Sequence, residues 1–449
     1  MLIRITKSTS GGRSLGEGGK STSTKYTTEG SNQQINESTN KQFNNAILKK
    51  LIRPYPAVVT VFVFLVIGVL SLIRLNIHFL DPFTQGIKDF DLTDIVYSRL
   101  RNQEVRLDDR IVLVNTGQPD RALMAAMLKR ISEAQPKVIG IDVLYAGRQN
   151  AAIDSALQAA IQHSDNVVLA STLENYRDDL KRFQSETGVD TFFSNYARLG
   201  YANFPSMEVR TIRFFSPLER TREGVSYSFA TRIAEQYAPE KVEKMLKRKN
   251  ELERIHFSST EDNFIQFEPE AILDTAVDLK PLLAGKIILM GYNGDPTSEC
   301  TAMDKFHTPL NVRYSGRSEP DMHGIVIHAN IIRMILDGKF INKIPAWLSL
   351  LLAILVCYGN VSLLEWVHER YPRLYHPITR TLQVAEFALL FFLISLLFYW
   401  FRLKWDFTAG LLALALYFDV LLSYEAFSSS RNQVWINKLP KIFKLNKSG

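Results

Sequence analysis

Long apolar runs interrupt the polar pattern of the chain at four places. A helix rises about 1.5 Å per residue, so about 20 apolar residues are needed to cross the hydrocarbon core of a bilayer. Four runs have about this length and contain few charged residues, and each predicts a membrane-spanning helix. They are residues 55–73, 344–364, 382–401 and 407–427.

Between the first two runs, short apolar strands alternate with amphipathic helices. The strands are "RIVLVN", "KVIGID", "NVVLAS" and "KIILMG", and the helices are "RALMAAMLKRI", "AAIDSALQAAI" and a last one from about Gly324. In the first helix, Leu123, Met127 and Ile131 fall on one face. This alternation predicts an α/β fold with a mostly parallel sheet, covering helices and right-handed crossovers.

A long insertion, roughly residues 175–280, separates the third strand from the fourth. Within it, the pattern of "YANFPSMEVRTIRFF" predicts a hairpin, and the patterns of "SYSFATRIAEQY" and "PEKVEKMLKRKNELERI" predict helices. The second of these helices is charged nearly all round, which is typical of a solvated surface element.

The basic residues beside the apolar runs predict the orientation. Lys and Arg precede the first run, fill the loop between the second and third, and follow the fourth, and basic loops stay cytoplasmic. We therefore expect a disordered basic cytoplasmic tail at 1–53, a transmembrane anchor at 54–74, an extracytoplasmic domain at 75–343, three transmembrane helices at 344–427 and a basic cytoplasmic tail at 428–449. A cleaved signal peptide is the alternative for the first run, but its basic flank is too long and no cleavage site follows.

Charge and cysteine content add little to this layout. The formal net charge is +7, and most of the excess lies in the predicted tails, which favours membrane lipids with anionic headgroups over nucleic acid as partners; a solvated tail is the alternative. Cys300 lies in the predicted outside domain and Cys357 in the second run, so they do not form a disulfide with each other. Pairing of Cys300 between subunits stays open.

The sequence contains no complete motif of the common enzyme classes considered below. The tail segment "SLGEGGKST" resembles a phosphate loop, but Ser14 stands where that motif needs glycine, and no strand precedes it. The sequence also has no nucleophile elbow, zinc-protease helix or dinucleotide fingerprint. We therefore predict neither catalysis nor a cofactor.

Polar residues follow the predicted strands, at the edge where parallel sheets bind ligands. They are Asn115, Thr116, Asp142, Ser171, Thr172, Asn293 and Asp295. We expect a pocket at this edge, although Asp and Asn at strand ends also cap helices and form turns. The same rule predicts that Asp142 and Asp304 line one pocket.

Histidines and acids gather near the start of the last soluble helix. "DKFHTPL" supplies Asp304, His307 and Thr308, and His323 and His328 follow, but the spacing of those two histidines does not put them on one helical face. A metal site is therefore disfavoured. For His328 and Asn330, the plain interpretation is that they cap or brace this helix.

In the membrane segment, the acidic residues Glu386 and Asp419 are expected to be buried between helices or to reach the headgroups, because a charge in the bilayer is costly. Two pairs of small residues have the four-residue spacing that permits close helix contact, Ser349 with Ala353 and Ala409 with Ala413.

Taken together, the segments resemble the CHASE domain of the second type, the extracellular sensory domain of bacterial cyclases and histidine kinases. The resemblance rests on "FDLTDIVYSRLR", "DDRIVLVN", "AQPKVIGIDVLY", "LLAGKIILMG", "MDKFHTPL" and "GIVIHANIIRMILDGKFI", over about residues 75–343. It implies a stimulus receiver without catalysis of its own. The ligand-binding residues that it implies are Asp142, Asp154, Asp304, Thr308, Pro309, His328 and Asn330.

Two departures from the family pattern bear on function. Asn115 stands where an aspartate is common, and the chain ends about twenty residues after the fourth run, where relatives often continue into an output domain. We therefore expect a bacterial inner-membrane sensor that receives an unknown small-molecule or protein stimulus and signals to a separate effector in trans. The alternatives are a structural or docking subunit of an envelope complex and a membrane-bound enzyme. The oligomeric state is left open.

Overall fold

The computed structural model describes residues 54–72, 91–100, 106–118, 120–205, 211–294, 304–311 and 319–443, and in the last helix it describes few side chains beyond Tyr424. The tail 1–53, residues 73–90, Asp295, Cys300 and residues 444–449 lie outside the described part. The expectations of a disordered tail and of a free or intermolecular Cys300 thus remain predictions.

A mainly parallel sheet forms the centre of the domain between the first two long apolar helices. Its spatial order is β10-β1-β11-β2-β3, after which β5 pairs with β3 in parallel and β4 pairs with β3 antiparallel. The strands are β1 Asp108–Asn115, β2 Val138–Ile141, β3 Val167–Arg177, β4 Arg182–Thr187, β5 Arg198–Tyr201, β10 Phe264–Phe267 and β11 Ile287–Gly291. The α/β class and the four expected strands are confirmed.

Helices cover both faces of the sheet, because successive strand residues point to opposite sides. Ile111, Leu113 and Leu289 contribute to one core, whereas Val112 and Ile288 contribute to the other. The helices packed on the first core are α6 Phe229–Tyr237, α7 Pro239–Leu246 and α10 Gly324–Asp337; those on the second are α3 Arg121–Glu133, α4 Ala151–Ser164, α5 Thr191–Ser194, α8 Pro269–Leu273 and α9 Lys280–Leu283.

Short strands pair outside the main sheet. They are β6 Phe214–Phe215 with β9 Glu253–Arg254, β7 Leu218–Arg220 with β8 Val225–Tyr227, β12 Lys305–Phe306 with β13 Met322–His323, and β14 Asn342–Lys343 with β15 Leu403–Lys404. The last pair is parallel and lies where the domain joins the long apolar helices. A short helix, α2 Leu92–Ile95, begins at Asp91, whose side chain accepts a hydrogen bond from the N–H of Thr93.

The predicted hairpin over 201–215 is wrong. Tyr201 ends β5, which pairs with β3, and Phe214–Phe215 pairs with β9 instead of folding back on Tyr201. Tertiary contact decides this arrangement: a Cβ atom at Gly200 would lie 2.7 Å from the Cα of Phe229, so this glycine lets α6 pack directly on β5.

The second helix of the insertion is shorter than predicted. It ends at Leu246, and Lys249 has a positive φ of 57°, which breaks the helix before Glu253 and Arg254 are buried in β9. The helix predicted at 226–237 is confirmed from Phe229.

Three helices in the described part of the chain are long and apolar enough to cross a membrane: α1 Pro54–Leu72, α11 Ala346–Arg370 and α12 Tyr375–Phe401. A fourth helix, α13 Thr408–Phe443, has a shorter described apolar part, Thr408–Tyr424, so the fourth span stays a prediction. The four helices share a core that includes Val63, Val361 and Tyr417.

Some polar groups of these helices are paired, whereas the hydroxyl groups of Ser349 and Tyr417 are buried without a hydrogen-bond partner among the described residues. Asn360 Nδ2 donates to Glu386 Oε2 over 3.0 Å, and Arg380 Nη2 lies 3.0 Å from Asp419 Oδ1. Glu386 is therefore engaged between α11 and α12, as one of the two expectations for it proposed. Among the small residues, Ser349, Ala353 and Ala413 are buried.

Candidate functional site

The carboxyl edge of the sheet brings β2, β11 and the start of α10 close together. Asp142 directly follows β2, and its backbone N–H donates to the carbonyl of Met290 over 2.7 Å. A Cβ atom at Gly291 would lie 2.8 Å from Ile325 Cδ1 and 3.1 Å from Asp142 Cβ. The absence of a side chain at Gly291 thus lets α10 and Asp142 approach the end of β11.

Asp142 and Asp304 both lie at this edge. A Cβ atom at Gly324 would lie 3.4 Å from Asp304 Oδ2, so the Asp304 carboxylate sits beside the first residue of α10. Burial raises the pKa of Asp142 to about 6, and burial together with the charge of Asp142 raises the pKa of Asp304 to about 6. The helix N-terminus favours a negative charge nearby, which partly offsets this effect.

The surroundings do not neutralise Asp142. The structure records no hydrogen bond or ion pair for its side chain within the described ranges, and burial is the cause of its raised pKa. Two electrostatically interacting carboxyl groups with pKa values of about 6 can take up a proton or hold a cationic group, and either event changes the charge near the N-terminus of α10.

Asn115 links the neighbouring loops of the same edge. Its Nδ2 donates to Glu268 Oε2 and to the carbonyl of Gly294, both over 2.8 Å, and its Oδ1 accepts from the N–H groups of Gly117 and Asn293. An aspartate here would lack the two donors. The asparagine is thus explained by the loop contacts that it makes, and these contacts occupy its polar atoms.

His323 stands at the N-cap position of α10, where its ring packs against Tyr292 with centroids 5.5 Å apart. Its Nδ1 is buried without a partner among the described residues. Burial and the charge of Lys305 lower the pKa of His323 to about 4. His323 is therefore neutral at physiological pH and directly precedes the first residue of α10.

His328 and Asn330 do not cap α10, because the helix begins at Gly324 and both residues lie further along it. His328 is 4% exposed, stacks on Phe204 at 5.0 Å and meets Phe229 edge-on at 5.2 Å. Burial lowers the pKa of His328 to about 3. It is thus a neutral core histidine at physiological pH.

Asn330 braces the helix, as the second half of that interpretation proposed. Its Oδ1 accepts from the N–H groups of Ser258 and Ser259, and its Nδ2 donates to the carbonyls of Ser259 and Val326. All four bonds are between 3.0 and 3.1 Å. Asn330 therefore fixes α10 to the segment before β10.

Asp154 and Thr308 are engaged elsewhere. Asp154 lies on α4, on the opposite face of the sheet from α10, where Arg121 Nη1 approaches its Oδ1 to 2.6 Å. Burial opposes ionisation of Asp154, but the Arg121 guanidinium holds its pKa below the usual range. Thr308 donates its hydroxyl to Asp321 and, with buried Pro309, closes the loop between β12 and β13. Ligand contact by either residue stays a prediction.

Other predicted site residues are engaged in hydrogen bonds or strand pairing. Ser171 donates to Glu186 Oε1, while the backbone of Thr172 pairs with Thr187 in β4. His307 pairs through its backbone with Thr211. Within the described residues, no three His, Cys, Asp or Glu side chains are grouped so as to hold a metal ion.

The sequence analysis assigned no role to several side chains that make hydrogen bonds or ion pairs across the fold. Glu186 and Glu268 come from the insertion and reach the strand ends only through the fold. The acids of "FDLTDIVYSRLR" were not assigned roles either, yet Asp91 pairs with Arg254 and Lys404, and Asp94 pairs with Arg213. The reciprocal bonds between Asp91 and Asp94 at the start of α2 are a capping box, which the S/T/D-x-x-D/E pattern can reveal.

A parallel sheet with helices on both faces, an acidic strand-end edge and a covalent link to long apolar helices define an α/β domain attached to a helical bundle. The family model described as the CHASE2 domain matches residues 57–362, which is more than half of the chain. The chain therefore belongs to the CHASE2 domain family, an extracellular sensory domain family, as the resemblance implied. No curated protein and no solved structure matches it.

Proposed function

We propose that this chain is a sensor of the bacterial inner membrane, in which helix α10 transmits a change at the Asp142 and Asp304 edge to the membrane helices, and in which a separate effector receives the output. The observation that supports this most directly is the position of α10. Its first residue lies beside the Asp304 carboxylate, and four residues separate its last, Asp337, from β14 at the membrane junction. No catalytic step is part of the proposal.

The connection from α10 to the membrane is held by hydrogen bonds. Arg248 donates to the carbonyl of Ile341 and to Asn342 Oδ1, the N–H of Asn342 donates to the carbonyl of Arg402, and the N–H of Ile344 donates to the carbonyl of Lys404. The start of α11 and the end of α12 are thus tied together by β14 and β15. A displacement of the end of α10 is expected to move both helices.

Helix α12 also contributes to the core of the domain. Phe398, near the end of α12, belongs to the hydrophobic cluster beneath α10, and its ring meets that of Tyr97 with centroids 5.4 Å apart. Lys404 Nζ lies 2.7 Å from Asp91 Oδ2. These contacts favour transmission into α12 as well as α11.

Coupling is tested with the full chain in nanodiscs, with a fluorophore on Trp347→Cys at the head of α11 in a Cys300→Ser, Cys357→Ala background. Protons serve as the probe, because the pKa values of Asp142 and Asp304 are near 6. We expect a fluorescence change with a midpoint near pH 6 that is lost in the Asp142→Asn, Asp304→Asn double variant.

Insertion of about ten Gly and Ser residues after Lys339 should abolish this signal, because a flexible linker transmits position poorly. The same insertion after the exposed Lys181, in the turn between β3 and β4, is the matched control and should leave the signal intact. A signal that survives the Lys339 insertion would show that coupling does not run through this joint. An unchanged signal in the double carboxyl variant would instead favour a docking subunit.

We further propose four spans with both ends cytoplasmic. The end of α1 and the start of α11 adjoin the sensory domain in sequence, and the segment between α12 and α13 adjoins it through the pairing of β15 with β14. Helix α13 completes the core formed by the other helices. In the same cysteine-free background, we expect a membrane-impermeant thiol reagent added outside to label Lys181→Cys but not Glu369→Cys. Labelling of Glu369→Cys from outside would refute this topology.

A further inference from the structure

A cleft of about 510 Å³ lies where the sensory domain meets the membrane helices. Its lining includes the basic residues Arg248, Arg254, Lys343 and Lys404, together with Glu253 and Phe214. The cleft is on a different part of the domain from the Asp142 edge, since its walls are β6, β9, β14 and β15. Nothing in the proposed coupling requires it to bind a ligand.

The charges around the cleft do not balance. Arg248 pairs with Glu253, Arg254 and Lys404 share Asp91, and Lys343 pairs with Asp406, which also approaches Lys404. Four cations therefore face three carboxylates, which leaves one positive charge among the described residues.

Arg254 has unused donor capacity. Its side chain is 5% exposed, and its Nη2 donates to Asp91 Oδ2 and Thr93 Oγ1. Its Nη1 is buried without a hydrogen-bond partner in the described part of the chain. A buried guanidinium nitrogen without a partner is costly, and an anionic oxygen is the acceptor that would best satisfy it.

The position of the cleft indicates where such an anion comes from. Lys343 lies three residues before the start of α11, and Lys404 three residues after the end of α12. At these helix ends Trp347, Trp400 and Phe401 are 68%, 63% and 64% exposed. Aromatic side chains of this kind mark the interfacial level of a bilayer, so the cleft lies at the height of the lipid headgroups.

We propose that this cleft binds the phosphate of an anionic phospholipid headgroup. A phosphodiester carries one negative charge, which matches the single excess positive charge, and its oxygens accept from the free nitrogen of Arg254 and from Lys343 and Lys404. A lipid bound there holds together β9, β14 and β15, and with them the joint between the sensory domain and the bilayer.

The test uses the purified full chain in detergent and measures binding of phosphatidylglycerol and phosphatidylcholine by native mass spectrometry and by the shift in melting temperature. We expect phosphatidylglycerol to bind more tightly, and Arg254→Gln or Lys343→Gln to weaken that binding by about tenfold. A tenfold change corresponds to about 1.4 kcal/mol, the scale of one hydrogen bond to a charged group.

Lys247→Gln is the matched control. Lys247 is 70% exposed and pairs with Glu243, much as Lys343 is 67% exposed and pairs with Asp406, but it does not line the cleft. If Arg254→Gln fails to fold, Lys343→Gln decides the question. Equal affinity for phosphatidylglycerol in the cleft variants and the control overturns the proposal. Saturation by inorganic phosphate or glycerol 1-phosphate as readily as by the lipid overturns the assignment to a headgroup.

Discussion

Replacement of Asp142 by Asn is expected to stabilise the protein at neutral pH. The carboxylate of Asp142 is partly buried and has no hydrogen-bond or ion-pair partner among the described residues, so its negative charge is poorly solvated in the folded state. Asparagine has nearly the same shape and no charge. The substitution therefore removes the cost of ionisation while it leaves the packing against Gly291 in place.

The size of the effect follows from the pKa of Asp142. Burial raises it from 3.8 to about 6, and one pKa unit corresponds to about 1.4 kcal/mol, so ionisation at pH 7 costs up to about 3 kcal/mol of folding free energy. Because the side chain is not fully buried, we expect about 2 kcal/mol. For a domain of this size, that is a rise in melting temperature of about 4 to 8 °C.

The stability difference between Asp142→Asn and the wild type should depend on pH. Between pH 3.8 and 6 the folded state binds more protons than the unfolded state, so the stability of the wild type falls as pH rises through this range. The advantage of Asp142→Asn is thus full above pH 6 and disappears below pH 3.8. A native site that is kept at a cost in stability is expected where function requires it.

The assay is thermal unfolding of the full chain in detergent at pH 7.5 and at pH 4, followed by intrinsic fluorescence, with Asp178→Asn at an exposed position as the control. A melting temperature of Asp142→Asn that is equal to or lower than that of the wild type at pH 7.5 would refute the reasoning. An increase of the same size at both pH values would also refute it, because packing rather than charge would then be responsible.

Three further outcomes are expected. Asn330→Ala should lower the free energy of unfolding by about 3 to 5 kcal/mol in chemical denaturation, because the N–H groups of residues 258 and 259 lose their acceptor. An unchanged free energy of unfolding would contradict the bracing role. His328→Phe should be as stable as the wild type at pH 7 and about 2 kcal/mol more stable at pH 5. In the wild type, the unfolded histidine is protonated below about pH 6.5, whereas the folded one has a pKa of about 3. A gain in stability that does not depend on pH would argue against burial of a neutral ring. Gly200→Ala should lower the melting temperature by several degrees, because its Cβ would meet the backbone of Phe229 at 2.7 Å; an unchanged value would mean that α6 can move away.

Local pattern was sufficient for the framework of the protein. Apolar runs of about 20 residues identified α1, α11 and α12 because only such runs match a bilayer, and strands such as β1 and β11 were visible because strands buried on both faces are continuously apolar. The rule that ligands gather at the carboxyl ends of parallel strands predicted that Asp142 and Asp304 line one pocket. In the structure the charge of Asp142 acts on the carboxyl group of Asp304, and the shared pocket stays a prediction.

Contacts between distant segments decided the rest. The sequence does not say that β11 inserts between β1 and β2, nor that β10 pairs on the outer side of β1, because strand order depends on which faces the helices cover. The predicted hairpin over 201–215 was wrong because its first strand pairs with β3 and its second with β9, and the two do not pair with each other. The resemblance implied a ligand-binding role for Asp154, and only the fold shows that Arg121 reaches it from another helix. The membrane joint depends most on tertiary structure: two-residue strands at 342–343 and 403–404 have no detectable sequence pattern, and they form because each supplies the backbone partners that the other lacks.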